Sequence, residues 1–371
     1  MIKDPLTLTR RTKSNLGCVI AFISSCSLAF TGSVNADTLR VPSQFPTIQA
    51  AINAANDGDV VSILAGNYFP GATLDTRGKL ITIQGQENSD SYPSVTIDGQ
   101  GSIVVLQCAN GEGPQTRFEN LVIANGYSTQ EGGGMLITNG SSPTLFNCHF
   151  VGNVADCNGG AVANITTSDQ DPCSPVFGNC TFEGNSTNCN GGAVYNDSAA
   201  AVFADCAFVN NSAVFGGALY DLSGISTMVN CTFNCNSATM DGGALYLDSL
   251  SVSTVVDCTF QQNRTAGAGG GIFFNSNSQS LQTSVLCGNI PDQTQGVFFN
   301  VGGNTIASTC VACPDVNGDG IVNGGDLSIL LSSWGACTAS TCPGDINMDG
   351  VVDGADFALV LSAWGPCSTC P

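Results

Sequence analysis

The chain has 371 residues, 45 glycines, 43% hydrophobic residues, only 10% charged ones and a formal net charge of -20. So few charges cannot supply the outer faces of a helical repeat and suit short buried strands joined by tight turns. The acidity argues against a nucleic-acid or anionic-membrane partner.

At the N-terminus, Lys3, Arg10, Arg11 and Lys13 precede an apolar run from Leu16 to Phe30, and Val34-Asn35-Ala36 supplies a small-residue cleavage site. This pattern predicts a secretory signal peptide over residues 1–36. Cys26, in Ile23-Ser24-Ser25-Cys26, offers a competing lipoprotein reading. Removing residues 1–36 takes four of nine basic residues and one of 29 acidic ones, leaving 5 against 28 and a net charge of about -23. No later segment reads as a membrane span. The expected location is secreted or on the surface of a bacterial cell, where disulfides are permitted.

Residues 41–68 hold Ile48, Ala51, Ile52 and Ala55 at helical spacing, with Pro46 near the start and Gly58 after the end. They predict a short amphipathic helix. The segment resembles the first turn of pectin-lyase-like β-helices, in which such a helix caps the open end. A cap is needed because a bare solenoid end exposes apolar interior and unpaired strand edges. Strand-like runs over 80–83, 95–97 and 103–106 then form irregular turns.

A regular phrase follows: Asn/Asp-Cys-x-Phe-x-x-Asn, then Gly-Gly-Ala/Gly and an apolar residue. Its cysteines are Cys148, Cys180, Cys206, Cys231 and Cys258, and its glycine pairs begin at Gly132, Gly159, Gly191, Gly216, Gly242 and Gly269. The steps of 27, 32, 25, 26 and 27 residues predict a solenoid. Cys and Phe alternate with polar or small residues, the period of a strand with one face inward. Stacked turns therefore place cysteines, phenylalanines and, at the bends, asparagines in ladders. Over roughly Asn120 to Ile290 these repeats resemble those of the chlamydial polymorphic outer-membrane proteins, which implies a right-handed parallel β-helix and points to surface adhesion.

The inward cysteines are expected to be buried thiols, because in-register parallel strands aim their Cβ atoms alike. Cys157 and Cys189, at matching turn positions, are candidates for a disulfide.

Chemistry on such a fold belongs on its outside. Asp197, Asp221 and Asp248 follow successive glycine pairs and would place carboxylates about 5 or 10 Å apart, separations that bracket glycosidase geometry. A turn residue facing solvent is the competing reading. Arg264 and Arg117 are candidate bases for lyase chemistry. His149, the one histidine, is expected to point outward as a surface residue. The Asn-Thr-Asp, Asp-Asp, Gly-His-Gly and Arg-x-Lys motifs of polygalacturonase-type β-helices do not occur here. The 32-residue step inserts residues 166–175, with Cys173, as a candidate binding edge.

The C-terminus carries two aligned loops, 30 residues apart. The first offers Asp315, Asn317, Asp319, the carbonyl of Ile321, Asn323 and Asp326; the second offers Asp345, Asn347, Asp349, the carbonyl of Val351, Asp353 and Asp356. Oxygens at positions 1, 3, 5, 7, 9 and 12, with glycine at 6, are a calcium-loop pattern. Each loop leads into a predicted helix, 327–334 or 357–364. With Trp334-Gly335-Ala336-Cys337 and Trp364-Gly365-Pro366-Cys367, the segment from about Cys310 to Pro371 resembles a Cys-containing dockerin. The resemblance implies two structural calcium ions and docking to a cohesin. Gly324, Gly325, Gly354 and Ala355 depart from the Ser/Thr-type residues of cohesin-binding dockerins. Cys310, Cys313, Cys337, Cys342, Cys367 and Cys370 are expected to staple this small domain.

The predicted architecture is therefore all-β: a signal peptide (1–36), a right-handed single-stranded parallel β-helix with an N-terminal capping helix (37–305), and a small α-helical dockerin-like domain (306–371). The expected function is an exported or cell-surface protein that binds polysaccharide or another surface and is anchored or assembled through the calcium module. The alternative is a polysaccharide lyase or glycoside hydrolase of the pectin-lyase-like class.

Overall fold

A computed structural model of the chain describes residues 36–86, 92–167, 172–308, 310, 314–317, 319, 321–337, 342–346 and 350–366. The predicted signal peptide therefore falls outside the described residues, apart from Ala36. The repeats form a parallel β-helix. Each regular turn, from Tyr127 to Thr265, contributes one strand to each of four parallel sheets, typified by Thr144–Phe146, His149–Val151, Val154–Ala155 and Val162–Ile165. Numbered I to IV in that order, the sheets hold 11, 10, 6 and 9 strands.

Sheet I passes into sheet II through a single residue in the left-handed region. Asn147, Asn179, Asp205, Asn230 and Asp257 occupy it with φ between 51° and 55°, a conformation that Asn and Asp tolerate better than other side chains. The glycine pair serves two needs. Gly216 has φ +60°, and a Cβ on Gly217 would lie 2.2 Å from the carbonyl oxygen of Gly243 on the next turn, so no side chain fits.

Inside, Phe150, Phe182, Phe208, Phe233 and Phe260 stack face to face with centroid separations of 5.1, 4.7, 4.6 and 4.5 Å. Cys148, Cys180, Cys206, Cys231 and Cys258 are buried free thiols. Each Sγ lies 3.2–3.5 Å from the carbonyl oxygen two residues earlier, and burial pushes the thiols of Cys148, Cys206 and Cys258 up. They act as small packing groups.

The second asparagine of the phrase builds the strongest ladder. Asn153, Asn185, Asn211, Asn236 and Asn263 are fully buried. Asn211 Oδ1 accepts from the backbone N and the Nδ2 of Asn185, both at 3.0 Å, while its own Nδ2 donates to Phe182 O and Asn236 Oδ1, both at 2.9 Å. Two donors and two lone pairs are thereby used. Gly126 N closes the row at Asn153, and Gln293 Oε1 closes it beyond Asn289.

The predicted cap is present as helix α1, Ile48–Ala54, with Ile48, Ala51 and Ile52 buried and Thr47 as N-cap. Lys79 Nζ donates to the carbonyls of Ile52, Asn53 and Ala55 at 2.7–2.8 Å, satisfying acceptors that a helix end leaves free.

At the other end, strand Thr305–Ala307 pairs with Val285–Cys287, so the β-helix runs two residues past the predicted boundary. Beyond it lie α2, Gly324–Ser332, and α3, Gly354–Ser362, around buried Val322, Leu330, Val352 and Val360. Short antiparallel pairs join Ile321 to Pro366 and Gly335 to Val352.

The cysteines differ in part from expectation. Cys337 pairs with Cys342, but Cys310 pairs with Cys287 on sheet II and so ties the C-terminal segment to the β-helix. Cys157 and Cys189 are free. Cys235 is also disulfide-bonded. Cys313, Cys367 and Cys370 lie outside the described residues.

Replacing Asn211 by Ala strands the amide groups of Asn185 and the carbonyl of Phe182 in the core. At 1–3 kcal/mol for each unsatisfied group, the expected loss is about 3 kcal/mol or more. Denaturant unfolding followed by far-UV circular dichroism measures it, and a loss under about 1 kcal/mol would show that the ladder is dispensable.

Candidate functional site

The outer face of sheet IV carries a row of aromatic side chains that no predicted site included. Tyr195 pairs with Tyr220, Tyr220 with Tyr246 and Tyr246 with Phe273 in register. Centroid separations are 5.9, 4.8 and 4.9 Å, with the last two pairs parallel within 4°. Phe215 meets Tyr246 edge-on at 5.4 Å. Tyr195 is almost covered, whereas Tyr220, Tyr246 and Phe273 are half-buried. The sequence held a signal for this row: each ring is the fourth residue after the first glycine of its pair, Gly191, Gly216, Gly242 or Gly269.

Carboxylates border the row. Burial pushes the Tyr195 phenol up, and Asp197 and Glu131 push it further. Burial followed by Asp248 does the same to Tyr220, and burial, Asp248 and Asp241 to Tyr246.

The structure does not bring the four predicted catalytic candidates together. Asp197 faces outward, half-buried, and pairs with Leu222. Asp248 follows Leu247, the partner of Asp221, and so falls in the row of Asp197 and Leu222. Asp197 and Asp248 are then two turns, about 10 Å, apart. Asp221 sits five rather than six residues after its glycine pair begins, and that one-residue difference turns it to the opposite face. It is fully buried, which corrects both the outward and the solvated-turn readings. Arg264 is exposed on sheet III, beside Ser237. Arg117 is held by Glu119 at 2.6 Å on sheet I.

Asp221 joins a polar stretch inside the bore. Asn164 Nδ2 donates to Asn196 Oδ1 at 2.6 Å, and Asn196 Nδ2 donates to Ser226 Oγ at 3.0 Å. Ser253 donates to Asp221 Oδ2. Burial raises the Asp221 carboxyl to about 6, opposed by the hydroxyls of Ser253 and Ser226. Glu112 is equally buried, yet the outcome reverses. Burial pushes it up, but Thr76, Asn110, Ser141 and Gly78 all donate to it and hold it below its ordinary value. There the four converging donors outweigh the effect of burial.

His149 points outward on sheet II but is only 7% exposed, which corrects its expected surface position. Tyr92 reaches over it, with its hydroxyl against Nδ1 and its ring edge-on, and Nε2 lies 3.1 Å from Glu183. A carboxylate only accepts, so Nε2 carries the proton and Nδ1 accepts from the phenol. Burial lowers the imidazole pKa against the opposing pull of Glu183. The predicted binding edge at 166–175 lies in part outside the described residues, and its Cys173 is fully buried in the core.

In the C-terminal loops, the Asp319 amide donates to both Asp315 Oδ1 and Asn317 Oδ1, at 3.1 and 2.8 Å. The Gly350 amide donates to Asp345 Oδ2 at 3.0 Å. Asp326 is buried and accepts from the amides of Val316, Asn317 and Asn323; Asp356 accepts from Ile346 and Asp353. Asn323 and Asp353 are the helix N-caps. Among the described residues, the first carboxylate of each loop accepts an amide from later in the loop and the last accepts amides from its start, and the side chains offer the hard oxygens that suit calcium. Asn347 and Asp349 lie outside the described residues. Cys337, Cys342 and Asp345 also converge, but the two sulfurs are bonded to each other and are not thiolate ligands.

Residues 115–290 match the family model described as a right-handed beta helix region. The β-helix is therefore right-handed. No curated protein matches the chain. Two solved structures of the pectin methylesterase from Aspergillus niger are similar. The deglycosylated form is 12% identical, with 76% of this chain and 91% of that chain covered and a TM-score of 0.32. The penultimately deglycosylated form is 13% identical, with 76% and 92% covered and a TM-score of 0.32.

The buried carboxyl at Asp221 sets a pH dependence. Its folded pKa of about 6 stands above its ordinary 3.8, so between these values the unfolded chain ionises while the folded one keeps its proton. Stability is expected to fall by about 3 kcal/mol as pH rises from well below 3.8 to above 6. Asp221→Asn should remove that component, as measured by denaturant midpoints across this range. An unchanged slope would show that the carboxyl is not protonated in the folded state.

Proposed function

We propose that this chain is an exported or cell-surface β-helix protein that binds polysaccharide along the outer face of sheet IV without turning it over. The observation that carries this reading is the ladder of Tyr195, Tyr220, Tyr246 and Phe273, a ribbon of ring edges and hydroxyls along the solenoid. Rings of this kind offer apolar area and hydrogen-bonding groups together. Asp221 is buried in the bore and Arg264 lies on sheet III, away from Asp197 and Asp248 on the outer face of sheet IV, and this supports binding over catalysis.

The C-terminal segment is the attachment module in this reading. Asp315, Asn317, Asp319, the Ile321 carbonyl, Asn323 and Asp326 would hold one calcium ion, and the corresponding residues from Asp345 to Asp356 a second. The ions would fix the loops from which α2 and α3 start, and the partner would be a cohesin-like or other cell-surface protein.

Two measurements test this. Purified protein mixed with neutral and charged soluble polysaccharides is expected to bind at least one and release no unsaturated or reducing-end product; product formation overturns the non-enzymatic reading. Tyr220→Ala with Tyr246→Ala should weaken binding at least tenfold, whereas Tyr→Phe at both positions should retain most of it. The chain's two tryptophans, Trp334 and Trp364, both follow the loop helices and report on the module alone. Calcium added to chelated protein should shift their fluorescence, with Asp315→Ala and Asp345→Ala each removing part of the response. Fluorescence indifferent to calcium would sink the calcium assignment.

A further inference from the structure

The charge around the aromatic ladder narrows the class of polysaccharide, an inference that rests on the binding role just proposed for that face. Asp197 and Asp248 lie in the row beside the rings, two turns apart on either side of Leu222. Glu131 and Asp241 bear on Tyr195 and Tyr246 from the glycine-pair side. All four carboxylates are half-buried at the surface.

No positive charge balances them there. Among the described residues the basic side chains are Arg40, Arg77, Lys79, Arg117 and Arg264. Arg40 and Arg117 are on sheet I and Arg264 is on sheet III. Lys79 is engaged by three carbonyls of the capping helix, and Arg77 belongs to the turn that follows strand Leu74–Asp75 beside it.

A uronate-bearing chain laid on this ribbon would bring carboxylates against carboxylates. An ammonium-bearing chain would find counter-charges on both sides of the rings. We propose that the sheet IV face selects an amine-bearing polysaccharide, a partly deacetylated amino-sugar polymer, over uronate-bearing and neutral ones. The rings supply contact area and the four carboxylates supply the selectivity.

The full chain is titrated with three soluble polymers, namely a partly deacetylated amino-glucan, a neutral glucan and a polygalacturonate, at low and high salt with a chelator present. The expected order is amine-bearing first, tighter than the neutral polymer by tenfold or more at low salt, with the polygalacturonate weakest. Asp197→Asn with Asp248→Asn should lower affinity for the amine polymer at least fivefold and leave neutral-polymer binding unchanged. Tyr220→Ala with Tyr246→Ala, which keeps every charge, should weaken the amine polymer tenfold. If this variant binds the amine polymer undiminished, the attraction is unspecific charge and the proposal fails. Equal affinity for all three polymers, or a preference for polygalacturonate, overturns the selectivity and leaves the binding role standing. If none of the three binds, the binding role itself fails.

Discussion

A buried amide leaves one turn little freedom over where the next turn sits. From Asn185 to Asn263, each Oδ1 takes two protons from the turn before, and each Nδ2 gives one to the turn after and one to a phenylalanine carbonyl. Shifting a turn by one residue would break four hydrogen bonds inside a dry core, where each unmet group costs about 1–3 kcal/mol. Register is therefore fixed at the asparagine. The phenylalanines three residues earlier must then stack on one another, and offset stacking adds about 0.5–1.5 kcal/mol per pair beyond burial. The Tyr220–Tyr246–Phe273 ribbon is parallel within 4° because the same register is carried round the turn to sheet IV.

This constraint explains what could be read in the sequence. Period, strand alternation, the cysteine and phenylalanine ladders and the asparagine bends all follow from residues that each turn needs at the same place, so they repeat visibly. The aromatic ribbon was equally legible, four residues past each glycine pair, but was masked because the first two copies carry Leu136 and Ala163 there. Asp221 departs from its expected outward position through a single-residue offset, which inverts a side chain's face while leaving the spacing almost unchanged. His149 departs from its expected exposure for another reason. Its cover, Tyr92, comes from an irregular loop 57 residues earlier, and no periodicity links the two. The Cys287–Cys310 bond crosses from repeat to tail and is likewise invisible to any count of cysteines within the tail.

The bore also shows how burial is reconciled with polarity. Glu112 stays ionised because two hydroxyls and two backbone amides converge on it. Asp221 has fewer donors and is displaced toward its neutral form. Its neighbours in register are Asn196 on one side and Leu247 on the other, so the cost of ionising it is not shared with another charge in the ladder.

That arrangement recurs wherever the chain places acids in a ladder. Stacking at about 4.8 Å would cost two adjacent carboxylates about 3 kcal/mol at the effective dielectric of a protein surface. At the first bend the order is Asn147, Asn179, Asp205, Asn230, Asp257, Thr283. Each Asp there accepts from the turn that follows it, through Asn230 Nδ2 or the Thr283 hydroxyl. On sheet IV, Leu222 separates Asp197 from Asp248 in the same way. Carboxylates that share a row are therefore spaced by an uncharged residue, and further acids are added in neighbouring rows. The aromatic ribbon is flanked by such a row on each side, Asp197 and Asp248 on one and Glu131 and Asp241 on the other.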